Sequence, residues 1–171
     1  MVRQCVDAGL ENAIIPCLTA FPGRGDSATS PEDGTITTER TLDDMRTSEF
    51  LPFQAGIDEG ATMIMVSHLI AANATGEEIP CSLSSVMIED VLRGELGFEG
   101  VVITDRMDQA AITSNYSSGE ASVLAIQAGA DMILCPENFE ESYQAVLDAV
   151  NNGTITEERI DESLNRILSA K

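Results

Sequence analysis

Aromatic residues make up only 4% of the 171 positions, and tryptophan is absent. A tryptophan stacking platform is thereby excluded from any binding site. The core must be built from Ile, Val, Leu, Met and Ala, within an apolar total of 43%. Cations are also scarce. Nine Lys and Arg stand against 29 Asp and Glu, for a formal net charge of −20. Such a surface repels phosphate backbones and anionic headgroups, so it argues against nucleic-acid and membrane-surface partners, and its simplest role is solubility. No run of eighteen apolar residues occurs, so no transmembrane helix is expected. The opening MVRQCVDAGLENAII lacks the compact apolar stretch and small-residue cleavage site of a signal peptide, and a cytoplasmic location is expected.

Cys5, Cys17, Cys81 and Cys135 are far apart and form no C-x-x-C pair. With His68 the single histidine, these spacings argue against a zinc site. Reduced thiols are expected, with Cys17 and Cys135 as small buried hydrophobes. Sequons at Asn73, Asn115 and Asn152 matter only in a secretory route. The tripeptide Arg24-Gly25-Asp26 is short enough to arise by chance. Phosphate-binding glycine motifs after a strand are missing, and neither a cofactor nor a metal is expected.

Four short apolar runs are present: 13–18 (AIIPCL), 62–66 (TMIMV), 101–104 (VVIT) and 131–134 (DMIL). Each is nearly continuous, the pattern of parallel strands buried on both faces. Helical periodicity runs through 41–57, with Thr41 a candidate N-cap, Asp44 three residues on and Pro52 the expected break. It recurs in 84–96, 119–128, 139–150 and 156–170. Glycines at 60, 100 and 129 stand just before strands. A helix, a glycine terminator and a short buried strand make the αβ part of a βα unit. The fold class is α/β, one domain over 1–171: four parallel strands with flanking helices, half of a (β/α)8 barrel. A full barrel typically needs about 250 residues. A flavodoxin-like doubly wound sheet is the alternative. The stretch 21–40 reads as a long irregular loop, a length usually functional or disordered.

In a β/α barrel, chemistry sits at the C-terminal ends of the strands. Asp105 and Arg106 follow VVIT there, Ser67 and His68 follow TMIMV, and the loop after AIIPCL carries Asp26, Glu32 and Asp33. Carboxylates from different strand ends suit glycoside cleavage, one attacking the sugar while another group handles the leaving-group proton. Asp105 also reads as a helix N-cap, a role Asp favours. His68 reads equally as a hydrogen-bonded residue of the mouth. Asp108 reads as a first-turn helix acid, and Asp131, opening its strand at the opposite face, as structural.

From Phe53 onward the chain resembles glycoside hydrolase family 3, in particular its β-N-acetylhexosaminidase branch. The resemblance is carried by PFQAGIDEGATMIMVSHL, IPCSLSSVMIEDVLRGELGFEGVVITDRMD, EASVLAIQAGADMIL and GTITEERIDESLNRIL, in that order and spacing. It implies that the four strands are the barrel's strands five to eight and that Asp105 is the nucleophile. It further implies retaining hydrolysis of terminal β-linked N-acetylglucosamine or β-glucoside, with a carbohydrate as substrate. Ser67, His68, Arg106 and Met107 are then assigned to substrate binding. The departures lie upstream. Thr19-Ala20 stand where the branch has Lys-His before Phe-Pro-Gly, and Ser30-Pro31-Glu32 fall where it has Asp-Ser-His. The Asp-His acid/base is missing, and Glu32 is the remaining candidate for that role. A homodimer or a complementary half-barrel is the expected partner. The alternative is a non-catalytic half-barrel that keeps the packing and has lost the chemistry.

Overall fold

Each apolar run becomes a strand only where a neighbouring strand supplies the ladder. The computed structural model describes residues 1–24 and 30–170. Helix α1 (Val2–Glu11) precedes β1 (Cys17–Phe21). A two-residue strand β2 (Ile36–Thr37), α2 (Leu42–Arg46) and α3 (Phe50–Ile57) lead to β3 (Met63–Val66). Then come β4 (Leu69–Ile70), the short helix α4 (Ala72–Thr75), a 3-10 turn at Cys81–Leu83 and a π-helix over Val86–Glu95. The chain continues with β5 (Val101–Arg106), α5 (Ala110–Thr113), α6 (Ser118–Gln127), β6 (Met132–Leu134), α7 (Phe139–Asn151) and α8 (Glu157–Ser169).

Strands β1, β3, β5 and β6 form one parallel sheet in chain order. That order lacks the reversal a doubly wound sheet requires, which sets the flavodoxin-like alternative aside. Successive strand residues point to opposite faces. Ile64, Val66 and Val102 face the helices, joined by Phe21 beyond the register shift that follows Leu18 in β1, and pack with Phe50, Met87, Ile88 and Leu92. Phe21 stacks on Phe50 at 5.4 Å and meets Phe53 edge-on at 5.1 Å. The alternate residues Cys17, Met63, Met65, Met132 and Leu134 are only part-buried, and Thr19 is exposed.

Local chemistry explains where sequence expectation and structure differ. The first strand starts at Cys17 rather than Ala13 and reaches Phe21, because its ladder pairs Cys17 with Met63 and Leu18 with Ile64. Thr19 and Ala20 are therefore strand residues. The helical stretch after Thr41 does divide, but at Thr47–Glu49; Pro52 sits in the first turn of α3, where its missing N–H costs nothing. Thr41 caps α2 in a reciprocal box with Asp44. The long loop contains β2, which pairs with β4 and buries Ile36. Cys17 is half-buried and Cys135 exposed; Cys81 is the buried thiol, pushed up to about 12 by desolvation.

Two features hold the N-terminal ends of the strands together. Gly100 lies against the neighbouring strand so closely that an added Cβ would sit 2.5 Å from the Thr62 carbonyl oxygen. Asp131, its side chain fully buried, gathers Arg93 at 2.8 Å and Arg166 at 3.0 Å. It also accepts hydrogen bonds from the Ser163 hydroxyl at 2.7 Å and the Val102 N–H at 2.9 Å. The structural reading of this residue matches what is observed.

Replacing Asp131 by Asn leaves buried guanidinium groups without their counter-charge. A loss of about 3–5 kcal/mol is expected in denaturant unfolding. Gly100→Ala forces the β3–β5 pair apart and is expected to lower stability by about 1–3 kcal/mol in the same assay.

Candidate functional site

Asp105 is the fifth residue of β5, a strand whose first four residues are buried. It does not cap a helix: α5 begins at Ala110, with Gln109 at its N-cap. The strand instead delivers the carboxylate, part-exposed, into a cavity of about 600 Å³ at the C-terminal ends of the strands. Thr19, Ala20, Pro22, Gly23 and Arg24 line that cavity from β1 and the segment after it, with Glu49 and Phe53 from the α3 region.

One carboxylate oxygen of Asp105 is held. Oδ1 accepts the Arg106 N–H at 2.7 Å and a long bond from Gln109 Nε2 at 3.5 Å. Among the described residues Oδ2 accepts no hydrogen bond.

His68 stiffens this strand end from behind. Its Nε2 lies 2.9 Å from the Arg106 carbonyl oxygen and its Nδ1 2.8 Å from the Ser82 hydroxyl. A carbonyl only accepts, so Nε2 carries the proton and Ser82 donates to Nδ1. Burial pushes the pKa of His68 down, favouring this neutral tautomer. The peptide after Asp105 is thus pinned to the loop that carries Ser82.

The other residues assigned from sequence fall in different places. Ser67 and His68 are buried and do not line the Asp105 cavity. Ser67 joins strand ends instead, donating its N–H to the Phe21 carbonyl at 2.8 Å and accepting the Ser82 N–H at 3.1 Å. Met107 is a core residue whose N–H bonds the Leu134 carbonyl. All three are buried and pack behind the strand ends. Arg106 is exposed and pairs with Asp108 at 2.7 Å, which holds the Asp108 carboxyl below its usual range. Asp108 therefore precedes a helix and serves an ion pair rather than a first turn.

Glu32 is exposed and lines an adjoining depression with Arg106, Asp108 and Gln109, not the Asp105 cavity. The Pro31 carbonyl accepts the Ala111 N–H, which brings this segment over the end of β5. Asp26 lies outside the described residues.

Two cavity residues carry no local sequence signal. Glu49 is 14% exposed and paired with Arg40 at 2.9 Å. Gln109 lines both depressions. Among the described residues no group of His, Cys, Asp and Glu could hold a metal, and no helix is long and apolar enough to cross a membrane.

Comparison with known proteins identifies the family and the fold. A beta-hexosaminidase from Stenotrophomonas maltophilia is 40% identical over 134 residues, covering 75% of this chain and 38% of that protein. The structure of a glycoside hydrolase family 3 beta-N-acetylglucosaminidase from Paenibacillus sp. superposes with a TM-score of 0.95 at 35% identity, over 99% of this chain and 33% of that one. A beta-N-acetylhexosaminidase from Beutenbergia cavernae gives 0.86 at 28% identity, over 96% and 49%. The chain thus spans less than half the length of these relatives. The model of the glycosyl hydrolase family 3 N terminal domain matches residues 1–170, and the chain belongs to that family.

Proposed function

We propose that the chain is the nucleophile-bearing half of a retaining glycosidase barrel that acts on terminal β-linked N-acetylglucosamine. The observation that carries this is the placing of Asp105: at the end of a buried strand, held through Oδ1, with Oδ2 unbonded among the described residues, in a cavity of about 600 Å³. In retaining cleavage such an oxygen attacks the anomeric carbon and a second group protonates the departing oxygen. Glu32 is the proposed acid. It stands at the same strand ends, one depression away from Asp105. Glu49 lines the Asp105 cavity, but its carboxylate is engaged in an ion pair with Arg40 at 2.9 Å.

The proposed partner is a second half-barrel, a further copy of this chain or a complementary half. Strands β1 and β6 each have one neighbour in the sheet, and the part-buried residues Cys17, Met65 and Met132 call for cover. Large apolar side chains lie exposed near both edges, among them Ile14 and Ile15 before β1, and Phe139 and Tyr143 after β6.

A second reading, a half-barrel without catalysis, is favoured by Thr19-Ala20 and Ser30-Pro31-Glu32 standing in place of the polar residues of the hexosaminidase branch. An aryl N-acetyl-β-glucosaminide separates the two, since its leaving group departs without an acid. Size-fractionated protein is expected to hydrolyse it, with activity following the dimer or reconstituted fraction. Asp105→Asn is expected to lower kcat at least about a hundredfold, equivalent to about 2.7 kcal/mol of transition-state stabilisation. Turnover equal in wild type and variant would remove Asp105 as the nucleophile, and none in any fraction would establish the non-catalytic reading.

A further inference from the structure

Gln109 is nine-tenths buried and its amide faces two ways. Nε2 donates to Asp105 Oδ1 at 3.5 Å. That orientation follows from the carboxylate, which in its ionised form only accepts. The other end, Oε1, is buried and among the described residues has no hydrogen-bond donor. A buried acceptor without a donor is unfavourable, and native proteins seldom keep one unless something else satisfies it. Here it belongs to a side chain in contact with the proposed nucleophile and in the wall of the same cavity.

We propose that Gln109 is a two-ended positioning residue. It holds Asp105 through Oδ1 and accepts, on Oε1, a hydrogen from the C2 substituent of a bound β-hexosaminide. The inference rests on reading Asp105 as the attacking group, and sugar chemistry then selects the partner. An oxygen aimed at C1 has two ring neighbours beside its target. The ring oxygen carries no hydrogen, whereas C2 carries an acetamido N–H or a hydroxyl. An acceptor adjoining the nucleophile therefore finds its donor at C2. The last torsion of a glutamine is soft, so Oε1 turns toward the cavity without the side chain leaving its rotamer. A small turn suffices, so Nε2 keeps its contact with Asp105 Oδ1 while Oε1 meets the sugar. Hydrogen bonds to the C2 group strengthen as the sugar approaches its transition state, which makes this position effective for catalysis as well as binding.

The test uses the full chain labelled with 15N. N-acetylglucosamine is expected to shift the side-chain NH2 signals of Gln109 together with backbone signals of Thr19 and Phe53. In Gln109→Met, affinity for N-acetylglucosamine is expected to fall about five- to tenfold, the worth of one hydrogen bond. Affinity for 2-deoxyglucose, which has no donor at C2, is expected to stay unchanged. Equal weakening of both sugars would reduce Gln109 to a packing role and overturn the proposal. Shifts at Thr19 and Phe53 with unmoved Gln109 signals would also overturn it, even where the variant fails to fold, while leaving the glycosidase reading intact. A titration that moves no signal anywhere in the chain would remove the glycosidase reading, and this inference with it.

Discussion

A carboxylate buried at the N-terminal end of the shortest strand of the sheet organises one whole side of the molecule. Asp131 immediately precedes β6, which has only three residues and one neighbour in the sheet. A charge in that position must be compensated, because an unpaired buried ion costs several kcal/mol. Arg93 comes from the π-helix, and Arg159, Arg166 and Ser163 from α8. Asp131 also bonds the Val102 N–H of β5, and its own N–H returns to the Val102 carbonyl at 2.7 Å. Burial alone would drive Arg93 toward neutrality, and Asp131 is the chief opposing influence. One residue thus ties two strands to two helices.

The C-terminal ends of the strands are organised by neutral groups instead. Ser67, Ser82 and His68 link β1, β3 and β5 through backbone carbonyls and one imidazole. A charged histidine there would face the Arg106 carbonyl with one proton and have nothing but a hydroxyl for the other. The neutral tautomer matches both partners, and desolvation favours it. A rigid neutral scaffold leaves the Asp105 carboxylate to respond to what enters the cavity.

Much of this arrangement was legible in the sequence because it depends on local pattern. Continuous apolar runs marked the four strands, Thr41 and Asp44 marked the start of α2, and Asp105 was singled out by its place after VVIT. What escaped depends on partners distant in the chain. The register of β1 is set by Met63 and Ile64, so the run beginning at Ala13 misplaced its start. Ser67, His68 and Met107 stand beside strand ends, but which way a residue points after a strand ends is decided by the loop that covers it. The segment of Ser82 covers His68. Glu49 and Gln109 had no signal at all: one precedes a helix as an ordinary acid, the other follows a catalytic-looking motif as an ordinary amide. Only the meeting of β1, β5 and α3 makes them neighbours of one cavity.

Charge links composition to the site. The described arginines are largely committed to structure: Arg3 with Asp58, Arg40 with Glu49, Arg46 with Glu95, Arg106 with Asp108, and three with Asp131. The Asp105 cavity holds two carboxylates, an amide and the Arg24 side chain within a chain of net charge −20. Anionic ligands meet repulsion at every scale, from the far field to the cavity wall. A neutral polyhydroxyl ligand meets none, because its hydroxyl and amide hydrogens are donors for Asp105 Oδ2 and the Gln109 carbonyl, which have none among the described residues. The same scarcity of cations that argues against nucleic acid from composition alone therefore supports the proposed sugar ligand once the cavity is seen.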